Sequence, residues 1–209
     1  MKQRFHFFAM GACLAGMIAC GDTSGEKGDF FNKPTPTITS NDPVPLQISL
    51  YATNSAYLGN FIAMTLQPTP RQAADSLCIN DLPTLLNGQT VHALLVIGND
   101  TIALMPTALG VPTNLPIKGL NDDVIANNWA DLLDSSILVS LDTATNLGAN
   151  EFYWTGANGN GTSAGADCSG WTTTSSGGIA GGSSDITAGW ISSIGGLCNG
   201  ARKILCIAY

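Results

Sequence analysis

Four cysteines, Cys78, Cys168, Cys198 and Cys206, constrain this chain more than any other feature, because of what stands before them. Lys2 and Arg4 give a positive start, and Phe7 to Ala19 follow as an apolar run of thirteen residues. Such a run is too short to span a bilayer as a mature helix and reads as an export signal. It ends in Met17-Ile18-Ala19-Cys20-Gly21, the pattern of a lipobox. There the cysteine thiol is diacylated, and small residues before it let the backbone enter the signal peptidase. Cys13 leaves with the signal and Cys20 carries lipid. The remaining four are an even number in an oxidising compartment, which reads as two disulfides. Four cysteines permit three connectivities, and counting does not choose among them.

The chain therefore divides into a signal (1–19), a lipidated tether (20–45) and one domain (46–209). The tether holds Gly21, Gly25, Gly28, Pro34, Pro36 and Pro43 without any apolar period. As a random coil it reaches roughly 25–30 Å from the bilayer. Two or three acyl chains make attachment essentially permanent, since each buried methylene adds about 0.8 kcal/mol. Gly21 in place of Asp after the lipidated cysteine permits transit to an outer membrane. Removing Lys2 and Arg4 leaves six basic residues against 15 acidic ones, a net charge near −9. A surface so acidic argues against nucleic acid and heparin-like polyanions as partners through a broad basic face.

Within the domain, Leu46, Ile48 and Leu50 alternate and lead into Tyr51-Ala52-Thr53 as a first strand. Thr69-Pro70-Arg71-Gln72 announces a helix: Thr69 caps, Pro70 suits the first position, and Gln72 completes a capping box. That helix turns Ala73, Ala74, Leu77 and Cys78 inward and stops before Pro83. Val91–Ile97 predicts a buried strand, with Ile102–Met105 as its hairpin partner across Gly98-Asn99-Asp100. Pro106, Pro112 and Pro116 predict a loop. A short helix is predicted over Asn127–Leu133, capped by Asn127 or Asn128. Ile137–Leu141, Phe152–Thr155 and Ile204–Ala208 predict further strands. From Gly156 to Gly200 glycine, serine, threonine and asparagine dominate. Two cysteines and two tryptophans inside that stretch predict an ordered but irregular stapled loop. Helices early and strands late make the class α+β.

The order of these landmarks resembles the endostatin domain, and more closely the bacterial endostatin-like domain of leptospiral surface lipoproteins. The matching segments are Ala74–Cys78, His92–Leu95, Val111-Pro112 through Pro116-Ile117, and Asn128–Leu133. Tyr153–Gly156, Cys168–Trp171 and the closing Cys198 with Ile204–Ile207 complete the series. The resemblance implies a C-type-lectin-like fold. It implies pairing of the first-helix cysteine with the last-strand cysteine, hence Cys78–Cys206, with Cys168–Cys198 nested inside. It places Trp154 and Trp171 in the core and leaves Trp190, among glycine and serines, as the surface binding candidate. It also implies a surface-exposed, adhesin-like role, because the leptospiral relatives are associated with extracellular-matrix proteins and complement regulators. Fold does not fix function, so a glycan-binding module and a structural, periplasm-facing lipoprotein are the alternatives.

Catalytic and metal chemistry find few residues. His92 is the sole histidine beyond the signal, inside an apolar segment that reads as core or sheet edge. Gly-x-Ser-x-Gly, phosphate-loop and dinucleotide patterns do not occur. The histidines that bind zinc in endostatin have no counterpart, and the arginines of its heparin surface are reduced to Arg71 and Arg202. The sugar-binding loops of C-type lectins are missing too. Asp122 and Asp123 read as the negative start of a helical turn. The expectation is a non-enzymatic protein with no cofactor, no metal and no catalytic residue.

Overall fold

The run Ile204-Leu205-Cys206-Ile207-Ala208 carries no polar side chain, which suits a strand covered on both faces. In the computed structural model, which describes residues 46–209, it lies in β8 (Lys203–Ala208), at the centre of the domain. The predicted signal, Cys20 and the predicted tether lie outside the described residues. β1 (Ile48–Ala52) runs antiparallel along one edge of β8, with Tyr51 opposite Cys206. The other edge is shared. β2 (Val91–Ala93) pairs antiparallel with the later half, and β5 (Phe152–Trp154) pairs parallel with the start. Beyond β1 come β3 (Ile117–Lys118) and β4 (Val124–Ala126). Beyond β5 come β6 (Gly177–Gly182) and β7 (Ile194–Leu197), so one mixed sheet has eight strands.

Alternation along β8 feeds two cores. Leu205 and Ile207 join Leu50, Ile125, Trp129, Leu132 and Trp190 on one face. Ile204, Cys206 and Ala208 join Tyr51, Leu77, Trp154 and Trp171 on the other. Five short helices complete the mixed α+β architecture: α1 (Phe61–Thr65), α2 (Pro70–Asn80), α3 (Met105–Leu109), α4 (Trp129–Leu132) and α5 (Leu141–Ala144).

α2 starts where its sequence says. The Thr69 hydroxyl accepts from the Gln72 N–H at 3.3 Å, Pro70 fills the first position, and Ala73, Ala74, Leu77 and Cys78 face inward. The Gln72 side chain, however, accepts from the Thr69 hydroxyl at 2.9 Å and does not close the second half of a capping box. The Cys78–Cys206 bond fastens α2 to β8, and Cys168–Cys198 clamps the glycine-rich segment. This is the nested one of the three possible arrangements. On a loop-entropy model, closures separated by 128 and 30 residues stabilise by about 5 and about 3.7 kcal/mol.

Several expectations are corrected. β2 ends at Ala93, four residues before Ile97, because β5 takes over that edge of β8. Leu94 still donates to Leu205 at 2.7 Å, but Val96 donates to Thr155, just past β5, at 2.8 Å. Side chains cover the edge facing away from β8. Asp75 Oδ1 accepts the Ala93 N–H at 2.8 Å, and the Arg71 guanidinium donates to the carbonyls of Ala93 (2.7 Å) and Leu95 (3.0 Å). The Gly98-Asn99 turn does form, closed by Ile97 and Asp100, but Ile102–Leu104 is a 3-10 turn running into α3. Pro106 lies in the first turn of α3, where its missing N–H costs nothing, and Gly110 ends the helix at φ 77°. Ile137–Leu141 is no strand. Only Ser136 bridges to Thr187, and Leu141 opens α5 behind Ser140. Asp122 and Asp123 turn the chain between β3 and β4, with Asp122 at φ 68° and paired to Lys118, and start no helix.

The Gly156–Gly200 stretch is more regular than predicted, since it contributes β6 and β7. Glycine is needed there for proximity: a Cβ on Gly178 would stand 2.9 Å from both Trp154 Cζ3 and Cys168 Sγ. Before β6, Cys168, Ser169, Gly170 and Trp171 form a left-handed turn with φ of 55°, 55°, 69° and 61°. Each non-glycine residue so placed costs about 1–2 kcal/mol. The disulfide, an Asp167 carboxylate accepting the Gly170 N–H at 2.9 Å, and Trp171 stacked on Phe61 at 5.0 Å hold the turn.

Candidate binding site

Two groups of charged side chains flank β8, and they differ in what satisfies them. On the α2 side, Arg71 meets Asp100 at 2.8 Å and Asp75 at 3.6 Å besides its two backbone carbonyls. Asp75 also holds His92 Nδ1 at 2.9 Å, so the lone histidine of the domain is an edge residue tied to a helix. This knot fastens α2 to β2, and all but one of its buried polar atoms are engaged in that task, Asp100 Oδ1 being left without a partner.

On the β5 side, the chain enters β8 through Arg202. Its backbone pairs with Tyr57, at 3.0 and 2.7 Å. Its guanidinium carbon lies 4.9 Å from the ring centre of Trp154 and 5.4 Å from that of Phe152. Gly196 of β7 lies beneath: a Cβ there would come within 2.9 Å of Nη2. Among the described residues Arg71, Lys118 and Lys203 each have an acid partner, and Arg202 has none. Its Nε is enclosed without a hydrogen-bond acceptor. Burial draws the guanidinium below its usual value, as expected where no anion offsets desolvation.

Arg202 lines a cleft of about 260 Å³ with Ala56, Glu151, Phe152, Ala201 and Lys203. Glu151 is the carboxylate nearest to hand, yet it is committed elsewhere. It accepts from Lys203 Nζ at 2.9 Å and from the Gly148 N–H at 2.9 Å, and Lys203 holds its carboxyl below the usual range. Across the exposed Phe152 lies a smaller cleft of about 120 Å³ with Asn150, Ser184, Asp185 and Ser193. Its hydroxyls are engaged: Ser184 donates to Asp142 at 2.5 Å and Ser193 to Asp185 at 3.3 Å.

The sequence-derived candidates fare differently. Trp190 is fully buried, so it offers no surface platform. It packs in the core of Leu205 and Ile207, and its carbonyl accepts from the Tyr153 hydroxyl. Trp154 and Trp171 are core residues, in contact at 5.6 Å between ring centres. Cys78, Cys206, Cys168 and Cys198 are bonded, and Cys20 lies outside the described residues. Among the described residues, His, Cys, Asp and Glu side chains form no group of three able to hold a metal ion, and no helix is long and apolar enough to cross a membrane. Arg202 was not among the candidates, although one signal marks it. No acid follows Asp185, so this cation has no local partner in sequence. No family model matches the chain, and no curated protein matches it.

Proposed function

We propose that this chain is a lipid-anchored surface protein, fixed to an outer membrane through Cys20, whose domain is a non-enzymatic, adhesin-like binding module. Its ligands would be host or environmental macromolecules such as extracellular-matrix proteins or complement regulators. The observation that carries the reading is the Arg202 cleft: an unpaired guanidinium, spread on two aromatic rings, opens beside the exposed Phe152. A half-buried charge left without an anion stabilises nothing by itself, and a ligand would offset its desolvation. The nested bonds Cys78–Cys206 and Cys168–Cys198 support a C-type-lectin-like, endostatin-like fold, since they are the pairing that the resemblance implies, although the helix joined to the last strand is α2, with α1 before it. The direct trial is solid-phase binding of the purified protein to fibronectin, laminin and factor H, alongside protease shaving of intact cells. Saturable binding to at least one, together with cleavage on whole cells, is expected. Absence of all three signals, or a domain untouched by protease on intact cells, removes the reading.

A further inference from the structure

The geometry of the Arg202 cleft points to a more specific ligand, and this inference rests on the binding-module reading above. We propose that the cleft receives the carboxylate of an aspartate or glutamate on a protein ligand, presented between apolar neighbours. Four observations lead there. Arg202 is the one cation of the described residues without an acid partner, in a chain where acids outnumber bases. Its guanidinium is packed against Trp154, Phe152 and the bare backbone of Gly196, which restricts its freedom before any ligand arrives. A planar fork so held suits a carboxylate, which takes two parallel N–H donors. Glu151, the only acid in the cleft wall, accepts from Lys203 and Gly148 through Oε2 and makes no ion pair with Arg202.

Size and lining then select the source of the carboxylate. About 260 Å³ accommodates one side chain or one sugar ring. The wall offers Ala56, Ala201 and the Phe152 ring, and Leu58 stands exposed one residue after the Tyr57–Arg202 bridge. A sugar needs free polar groups for its hydroxyls. The serines next door already donate to Asp142 and Asp185. Apolar walls with one oriented cation favour a peptide segment.

The test flows capped peptides over the immobilised full chain. One is Leu-Ala-Glu-Ala-Leu, the second carries Gln at its centre, and sodium glucuronate is a third arm. The Glu peptide is expected to bind at least about tenfold more tightly than the Gln peptide, since a charged hydrogen-bonded pair contributes that much. Arg202→Gln removes the difference. Ala201→Glu does the same by placing an internal carboxylate at the exposed cleft wall while leaving Arg202 packed on its rings, so a folding defect in the first variant does not decide the matter. Equal binding of the two peptides, or a preference that survives both substitutions, overturns the proposal. Glucuronate binding more tightly than the Glu peptide overturns it in favour of an acidic sugar. If matrix proteins are retained while the peptides are not distinguished, this inference falls and the binding-module reading stands. Peptide discrimination with no macromolecule retained supports the cleft assignment and removes the wider reading.

Discussion

The two arginines of the described residues occupy opposite situations, one beside β2 and one beside β5, the two strands that share an edge of β8. Arg71 is only 15% exposed and is surrounded by acceptors: two carbonyls, Asp100 and Asp75. Arg202 is also partly covered, but by rings and a glycine, with no acceptor at hand. A cation whose donors are consumed by its own fold is mortar, and removing it exposes polar groups that have no other partner. A cation whose donors are kept idle by its fold contributes little to that fold. The contrast associates stability with the Arg71 knot and leaves the Arg202 cluster for the recognition proposed above.

The disulfides beneath the two regions give the largest effects. Replacing Cys78 and Cys206 together with alanine is expected to lower unfolding free energy by about 5 kcal/mol, and replacing Cys168 and Cys198 by about 3.7 kcal/mol. Urea titration of both variants checks the order, and a greater loss from the second pair would break the view that the α2 side carries the stability. Arg71→Leu comes next, at about 3 kcal/mol, because the Ala93 and Leu95 carbonyls lose their donor at once. Thermal unfolding followed by circular dichroism should show a drop of roughly 6–12 °C. Arg202→Gln should change stability by less than about 1 kcal/mol, the size of its ring contacts. A loss as great as that of Arg71→Leu would erase the distinction.

The smallest effect concerns acid. Lys203 holds the Glu151 carboxyl below its ordinary value of 4.5. A group lowered on folding stabilises above its unfolded value, and that contribution is lost as pH falls through the folded one. Lys203→Met should therefore flatten the decline in stability below pH 4.5, measured by urea midpoints at stepped pH. An unchanged acid limb would show that the pair does not reach the folding equilibrium.

Much of the architecture could be read from the sequence where one chemical signal dominates locally. Thr69-Pro70 and the inward spacing of Ala73, Ala74, Leu77 and Cys78 sufficed for α2, and the unbroken apolar run sufficed for β8. The hairpin of β6 and β7 was hidden because glycine has little preference for strands, and its need arises from the approach of distant groups: Trp154 and Cys168 at Gly178, Tyr153 and Trp190 at Gly181, and Arg202 at Gly196. The early end of β2 was hidden for a related reason: it is set by β5, which lies about sixty residues later in the chain and takes over the same edge of β8. Trp190 was misread because polar small neighbours in sequence are not its neighbours in space; Leu205 and Ile207 share its core. The binding candidate itself was legible only as a cation without a nearby acid.

The position of β8 has a further consequence for how the domain is made. It comes last of the described strands, and although β1 also pairs with β3 and β5 with β6, the two halves of the sheet meet only along it. During synthesis each half has local pairing available, but no strand joins the halves until β8 is made. Both interiors draw apolar side chains from β8, so a chain stopped before Lys203 is expected to leave both cores incomplete, and their closure is a contact of high sequence separation.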